Sequence, residues 1–380
     1  MGFMSVLFPR RGRTVVRHYS ASQAKKNHEF NQNVCFWISI VISVILTGVT
    51  YHTHTVYKDI QRSMGDIVIN EPGLTPQPSH AGSVVHISAP ATSIRPKKAV
   101  SDAEFNVGIY GPFSMSREVE YCQWTEHQST KTHKHRDGSE TTETTYYYTK
   151  GWRSTPINSL FFNQPGAHHN PQRDPYPSRS VVDSTDVSVG NGFTIDSNLA
   201  KYVSVSSHPV VNWDASSYNA FMKSQAHQRD NFYYTNKNGW FYSPYTPSTA
   251  ERLAKAAVQY MEGSLFDFQL GDLFSECTAG DIRVRYRTKT PSGGVSLIGR
   301  QTDDMGRIDT FKSIDDREVD AIYEGRHSAE EVKRLRIADA FSNFMWAGIG
   351  MIVSWVVTGA VLMYKNKNEE DDEEEHEKEY

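Results

Sequence analysis

FMWAGIGMIVSWVVTGAVLMY, residues 344–364, is the stretch that decides the fold class of this chain. It contains no charged residue and no proline. At ~1.5 Å per residue, a helix of this length is roughly 31 Å long, which matches the hydrocarbon core of a bilayer. Trp346 and Tyr364 lie near its two ends, where their half-polar rings favour the membrane interface. The stretch therefore predicts a transmembrane helix.

A second apolar stretch, VCFWISIVISVILTGVTY, occupies residues 34–51 and is at the short end for a helix that crosses a bilayer. The mean hydropathy of the 380-residue chain is −0.56, so most of its mass lies outside the membrane. The sequence thus predicts a membrane protein in which two transmembrane α-helices flank a large β-rich (α+β) extramembrane domain.

Both spans carry small and hydroxyl residues four positions apart. The first has Ser39, Ser43 and Thr47, and the second has Gly350, Ser354 and Thr358. Residues at this spacing share one helical face, and small side chains let membrane helices approach closely. These six residues are the candidate helix–helix interface, either between the two spans or between copies of the chain in a homo-oligomer. Alternatively, the hydroxyls only bond carbonyls of their own helix.

The two flanks of the chain differ in charge. Residues 1–33 are basic, which is typical of the cytoplasmic flank of a first span or of a mitochondrial presequence. A cytoplasmic N-terminus places the domain on the other side of the membrane. The acidic tail, residues 365–380, carries −6 and leaves the rest of the chain at +2. No clustered basic face remains, so nucleic acid is not an expected partner.

Between the spans, residues 52–79 are expected to form a stalk because they are rich in proline towards the end. Residues 80–327 alternate polar and apolar positions and predict a β-rich luminal domain, with a hairpin turn at Asp137 and Gly138. One soluble helix is predicted near 249–262. An amphipathic helix is predicted over 328–343 and is expected to continue into the second span.

Three cysteines are few. Cys122 and Cys277 lie in the polar body and would pair if that body faces an oxidising lumen, while two reduced thiols are the alternative. The sequence contains no phosphate-binding loop, no nucleophile elbow and no zinc-protease motif. His133 and His135 lack companions at metal-site spacing. The chain is therefore predicted not to be an enzyme, and no cofactor or metal is expected.

Several pieces of the body resemble the transmembrane protein 43 (LUMA) family. The pieces occur in the family's order and include GSVVHIS (82–88), REVEYCQWTEH (117–127), ETTYYYTKGWRSTPINS (143–159), GDIRVRY (280–286) and HSAEEV (327–332). The most specific positions are Gln123, Trp124, Trp152, Arg153 and Ser154. The resemblance implies a luminal domain in the endoplasmic reticulum and inner nuclear membrane, self-association, contact with lamins and emerin, and no catalytic residues.

Two features depart from the family pattern. In this chain one C-terminal span is followed by an acidic tail, whereas the family has several spans there. The helix near 249–262 is an insertion relative to the family pattern. The leading hypothesis is a non-enzymatic membrane scaffold whose partners are the lipid bilayer, other copies of itself and other membrane or nuclear-envelope proteins. The alternatives are an accessory subunit in the mitochondrial inner membrane and a lipid-handling protein that uses an apolar groove.

Overall fold

Two long helices dominate the computed structural model of this chain. The structure describes residues 10–65, 68–71, 73–171, 176–211, 213, 233–235, 239–245 and 277–378. Helix α1 covers Ala21–Ser63, the one-turn helix α2 covers Ser197–Ala200, and helix α3 covers Ala329–Lys378. Both predicted spans lie inside the long helices and their outer faces are exposed apolar surface. The predicted fold class, two apolar helices around a β-rich middle, is confirmed.

The boundaries around the spans differ from the sequence prediction. Residues 52–63 were expected to belong to a stalk but extend α1 by three turns, because Tyr57 and Ile60 pack against α3 and the domain. At the other end, Ser328 and Glu331 form the predicted cap, and α3 runs without a break through the span to Lys378. The predicted helix near 249–262 lies outside the described residues.

The helices α1 and α3 pack against each other in antiparallel orientation. Near the domain the ring of Tyr57 meets the rings of Phe341 and Phe344, with centroids 5.5 and 6.2 Å away. At the far end the ammonium of Lys365 lies 5.7 Å from the ring centroid of Phe36. Buried or half-buried positions recur every three to four residues along the facing parts of both helices, so one face of each helix is covered by the other.

The middle of the chain is a set of strands. In chain order these are β1 Arg10–Tyr19, β2 Ile69–Asn70, β3 Val84–Ala89, β4 Ile94–Pro96, β5 Val100–Asp102, β6 Val107–Ile109, β7 Ser114–Lys134, β8 Glu140–Arg153, β9 Arg179–Ser184, β10 Val187–Val189, β11 Phe193–Ile195, β12 His208–Pro209, β13 Tyr233–Thr235, β14 Trp240–Ser243, β15 Ile282–Lys289, β16 Val295–Gln301, β17 Arg307–Asp309, β18 Phe311–Lys312, β19 Glu318–Val319 and β20 Ala321–Glu324.

Most strands belong to two eight-stranded sheets. The first has the order β1-β8-β7-β15-β14-β13, with β12 paired to β15 and β9 to β7. The second has the order β2-β3-β16-β17-β11-β10-β4, with β20 paired to β16. Because β2 pairs with β3, the second sheet begins at Ile69, inside the segment that was expected to be a stalk. Three clusters of buried apolar side chains form the core, and the one around Ile60, Ile298 and Val332 joins the second sheet to both long helices.

The N-terminal basic segment contains a strand. β1 pairs with β8, from Arg10 beside Tyr148 to Tyr19 beside Glu140. The turn at Gly138, whose φ is +77°, brings the hairpin tip against Ala21 at the start of α1. A bilayer around residues 34–51 would separate β1 from this hairpin, because open polar strands do not lie in hydrocarbon. The β1–β8 pairing and a cytoplasmic N-terminus opposite the domain therefore exclude each other.

Candidate interaction sites

A cluster of three hydroxyls joins the two spans. The Ser43 hydroxyl lies 2.6 Å from the Ser354 hydroxyl and 3.0 Å from the Thr358 hydroxyl, and Ser43 is fully buried. One helical turn away, the indole N–H of Trp355 donates to the hydroxyl of Thr47 at 3.1 Å. Four of the six residues predicted to mediate helix contact therefore meet within one chain.

The other two predicted residues do not take part. Ser39 donates to the carbonyl of Phe36 in its own helix at 2.7 Å, and a Cβ placed on Gly350 would meet no atom within 4 Å. The contact that sequence reasoning missed is Gly348, whose Cβ position lies 4.0 Å from the Thr50 methyl group. The four-residue pattern led to Gly350, whereas the antiparallel register places Gly348 opposite Thr50.

Cysteines at positions 50 and 348 are expected to cross-link within one chain. We expect the pair Thr50→Cys and Gly348→Cys, in a Cys35→Ser background, to form an intramolecular disulfide under mild oxidant, because the two positions face each other. Non-reducing electrophoresis after proteolytic cleavage between residues 277 and 329, outside the loop closed by Cys122 and Cys277, measures the product. The matched control combines Thr50→Cys with Gly350→Cys. Equal cross-linking of the two pairs would contradict the helix register.

Asp59 attaches the end of α1 to the domain. Its carboxylate is fully buried and accepts bonds from the Ser313 hydroxyl and from the backbone N–H of Asp315 at 3.1 Å. The guanidinium of Arg317 lies 3.5 Å away. One turn later, the Ser63 hydroxyl accepts the backbone N–H of Ile314 at 3.1 Å. A buried carboxylate is stable only with such partners, so this clamp fixes the loop between β18 and β19 to α1.

Asp59→Asn is expected to loosen this attachment. The asparagine side chain has the same size as aspartate but no charge. Its NH₂ group would face the hydrogen-bond donors that the carboxylate oxygen of Asp59 now accepts from. Hydrogen bonds to charged groups contribute ~1.5–3 kcal/mol, so we expect thermal unfolding of the purified protein to begin several degrees lower. Asp316→Asn is the matched control, since the Asp316 side chain is 87% exposed. Equal melting curves for the two variants would show that the clamp contributes nothing.

A disulfide ties β7 to the chain segment before β15. Cys122 and Cys277 are bonded, with their Cα atoms 6.0 Å apart and a sequence separation of 155. The backbones also pair there, because Cys122 donates its N–H to Asp281 and accepts one from Gly280, each at 2.9 Å. Of the two sequence alternatives, the structure has the paired form. Cys35 is free and exposed on α1.

Gln123 and Trp124 hold the loop that follows β8. The Gln123 side chain donates to the carbonyl of Thr155 at 2.8 Å and accepts the N–H of Ile157 at 2.6 Å. The backbone of Trp124 exchanges two bonds, of 2.7 and 3.0 Å, with the side-chain amide of Asn170. These two residues therefore order a surface loop over 155–170, and the structure gives them a positioning role.

Trp152 lies in an alternating stack of aromatic rings and guanidinium groups. The Arg283 guanidinium lies 4.3 Å from the ring centroids of both Trp152 and Trp240, and that of Arg285 lies 4.5 Å from Trp240. Such contacts contribute ~0.5–2 kcal/mol each and stiffen the face of the first sheet. Arg153 donates to Thr125 at 3.3 Å from an exposed position.

Comparison with known proteins shows the family. The model of the Transmembrane protein 43 family matches residues 121–366, which is more than half of the chain. The chain belongs to this family. It is 36% identical to Transmembrane protein 43 of Homo sapiens over 95 residues, which cover 25% of this chain and 22% of that protein. It is 30% identical to the Transmembrane protein 43 homolog of Drosophila melanogaster over 104 residues, which cover 27% and 26%.

The aligned stretches cover only about a quarter of these curated Transmembrane protein 43 relatives. No solved structure matches the chain. The region matched to the family contains the disulfide, Gln123, Trp124, Trp152 and the second span, while Asp59 and the first span lie before it. The resemblance inferred from the sequence pieces is thereby confirmed, and so is membership of a membrane protein family.

The titratable residues that drew attention in the sequence do not form a metal centre. His135 contacts the Thr141 hydroxyl at 2.8 Å near the exposed hairpin tip. Within the described part of the chain, no group of three histidine, cysteine or acidic side chains could hold a metal ion. Ser154, at the end of the family motif, is exposed.

Proposed function

We propose that this protein is a non-enzymatic membrane scaffold that acts through self-association and by binding other membrane proteins. The observation that carries the proposal is the buried Asp59 clamp, together with the pairing of α1 and α3. These contacts hold the β-rich domain in a fixed orientation relative to its membrane anchor. A fixed platform is what a protein needs to present a constant surface to neighbours in the same membrane.

The proposed location is the endoplasmic reticulum and inner nuclear membrane, with the domain in the lumen. The bond between Cys122 and Cys277 supports this, since disulfides persist in oxidising compartments and are rare in the cytosol. The alternative is the mitochondrial inner membrane, to which the basic N-terminal segment would direct the chain. A fluorescent fusion at the C-terminus, imaged against markers of both membranes, separates the two, and a mitochondrial signal would refute the proposal.

Self-association is proposed to use the domain rather than the hydroxyl face of the spans. Ser43, Ser354 and Thr358 are occupied within the chain. On the loop ordered by Gln123 and Trp124, the side chains of Leu160 and Phe161 are 66% and 85% exposed. Two large apolar residues held outward by a hydrogen-bonded loop suit a partner surface.

Co-precipitation of two differently tagged full-length copies tests this surface. We expect Phe161→Asp to lower recovery of the second copy several-fold, because a charge in an apolar contact is costly. Met305→Asp is the control, since Met305 is 75% exposed on a different loop. Failure of the wild-type copies to co-precipitate would refute self-association. Equal recovery of the Phe161→Asp and Met305→Asp variants would show that the contact between copies does not include Phe161.

A further inference from the structure

A polar cleft opens where the β-rich domain meets α3, just before the second span. Its volume is about 480 Å³, within the range of small-ligand sites. The walls are the segment 202–206 after α2, Lys289 at the end of β15, residues of β20, and Arg336 and Asp339 of α3. The cleft thus lies between elements that are far apart in the sequence.

Two cationic side chains of the cleft, Lys289 and Arg336, have ion-pair or hydrogen-bonding capacity that the described residues do not fill. The ammonium of Lys289 donates to the carbonyl of Val203 at 3.0 Å and has no carboxylate within ion-pair distance among the described residues. Burial lowers the pKa of Lys289, as expected for a charge without a counter-ion. Arg336 donates one bond to Asp320 at 2.9 Å, but its Nε atom is buried and has no hydrogen-bond partner in the described part of the chain.

Two acidic residues and two aromatic rings complete the lining. Asp320 faces Arg336, while Asp339 accepts the hydroxyl of Tyr323 at 2.7 Å. The positive charges of Lys289 and Arg336 balance the negative charges of the two aspartates. A ligand with a large net charge would therefore be repelled either by the two cations or by the two carboxylates. A zwitterion that carries a phosphate and an ammonium fits better, because its phosphate can meet Lys289 while its cation meets the carboxylates of Asp320 and Asp339.

The depth of the cleft favours a lipid over a soluble zwitterion. Asp339 and Arg336 precede the span by five and eight residues, roughly 8 and 12 Å along the helix, and the headgroup layer adds roughly 5–8 Å outside the hydrocarbon core, so the cleft opens at the outer edge of that layer. Asn343, Trp346 and Gly350 follow Asp339 at helical spacing and share its face of α3. Trp346 is 65% exposed, and the space around Gly350 is open to 4 Å.

We propose that this cleft binds the zwitterionic headgroup of a membrane phospholipid, phosphocholine or phosphoethanolamine. Lys289 faces the phosphate, and Asp320 and Asp339 face the ammonium, which in a phospholipid lies further from the hydrocarbon than the phosphate. One acyl chain descends along α3 beside Trp346 and over Gly350. The site goes beyond the scaffold role, and it does not use the Leu160–Phe161 surface.

Bound lipid can be counted on the full-length protein. The protein is reconstituted in vesicles of equal phosphatidylcholine and phosphatidylglycerol, extracted in mild detergent and measured by native mass spectrometry. We expect about one retained phosphatidylcholine per chain in the wild type. Lys289→Met removes the free cation and Ser206→Phe fills the cleft from an exposed position, and each is expected to lower retention at least fivefold. Lys312→Met, whose side chain is 52% exposed on β18, is the control and should retain lipid.

Correct folding of each variant is read from the Cys122–Cys277 disulfide on non-reducing gels. The proposal is overturned if either cleft variant, correctly folded, retains phosphatidylcholine as the control does. It is also overturned if phosphatidylglycerol is retained equally well, or if millimolar free phosphocholine displaces the lipid, since the site would then take a soluble ligand. Self-association is expected to be the same in all three variants, so failure of this proposal and failure of the scaffold proposal are distinguishable.

Discussion

Arg117→Ala should lower the free energy of unfolding by about 3–5 kcal/mol, which is the cost of leaving a buried charge without its partner. The Arg117 side chain is fully buried on β7 and pairs with Asp102 at 2.7 Å and with Glu104 at 2.5 Å. Its Nε donates to the carbonyl of Pro177 at 3.1 Å, and its guanidinium lies 4.9 Å from the ring centroid of Phe105.

Removal of the guanidinium leaves Asp102 with two neutral donors, the hydroxyl of Tyr286 at 2.8 Å and the backbone N–H of Glu104 at 3.0 Å. That hydroxyl stays protonated, because burial and the adjacent Asp102 raise the pKa of Tyr286 well above its ordinary value. It can therefore donate to the carboxylate but cannot balance its charge. The core between β7 and β15 would then contain an uncompensated anion.

Unfolding of the purified protein by guanidinium chloride, monitored by tryptophan fluorescence, measures the loss in the free energy of unfolding. Arg136→Ala is the matched control, since Arg136 is exposed at the hairpin turn and is expected to change stability by less than ~0.5 kcal/mol. An Arg117→Ala protein as stable as this control would contradict the description of Arg117 as a buried charge that organises the first sheet.

The double variant Cys122→Ala, Cys277→Ala should be destabilised by about 2–5 kcal/mol. The bond closes a loop of 155 residues, and cross-links that close long loops restrict the unfolded chain strongly. The same loss is expected when the wild-type protein is unfolded in the presence of a reductant. Cys35→Ala serves as the control, because Cys35 is free and is expected to leave the unfolding curve unchanged.

Two results would contradict the disulfide. One is a wild-type protein that reacts with maleimide at three cysteines after purification without reductant. The other is a double variant with wild-type stability. Either would remove the main support for an oxidising lumen, and the location would then rest on imaging alone.

The two apolar segments were predictable because length and hydropathy alone specify a helix that can cross a bilayer. The strand β1 was not, since its arginines suggested a topogenic flank and its partner β8 is more than a hundred residues away. The helical part of the stalk was missed for a similar reason. Tyr57 and Ile60 gain their packing partners only when α3 and the domain are present.

The candidate sites divide in the same way. Ser43, Ser354 and Thr358 followed from helical periodicity, which sequence displays directly. Asp59 did not, because its neighbours at helical spacing include Thr55, Arg62 and Ser63, and this polar setting suggests an exposed acid. The roles of Gln123 and Trp124 were also hidden, because their partners lie over 30 residues further along the chain and no local pattern connects them.

The central claim is that residues 34–51 cross the membrane and place the domain in the lumen. Ten of these residues are Val, Ile, Leu or Phe, each worth ~0.3–0.6 kcal/mol on insertion, or ~3–6 kcal/mol together. Pairing of β1 along the exposed edge of the hairpin joins mostly polar side chains, and each cross-strand pair contributes ~0.2–1 kcal/mol. The claim therefore requires β1 to leave β8 when the chain is in a bilayer.

Labelling of single cysteines in sealed microsomes tests this claim most directly. Arg17→Cys on β1 and Thr130→Cys on β7 are introduced separately into a Cys35→Ser background and exposed to a membrane-impermeant maleimide. The account predicts that position 17 reacts and that position 130 reacts only after the membrane is permeabilised with detergent. Protection of both positions, or reaction of both, would place β1 and the hairpin on the same side and contradict the spanning arrangement.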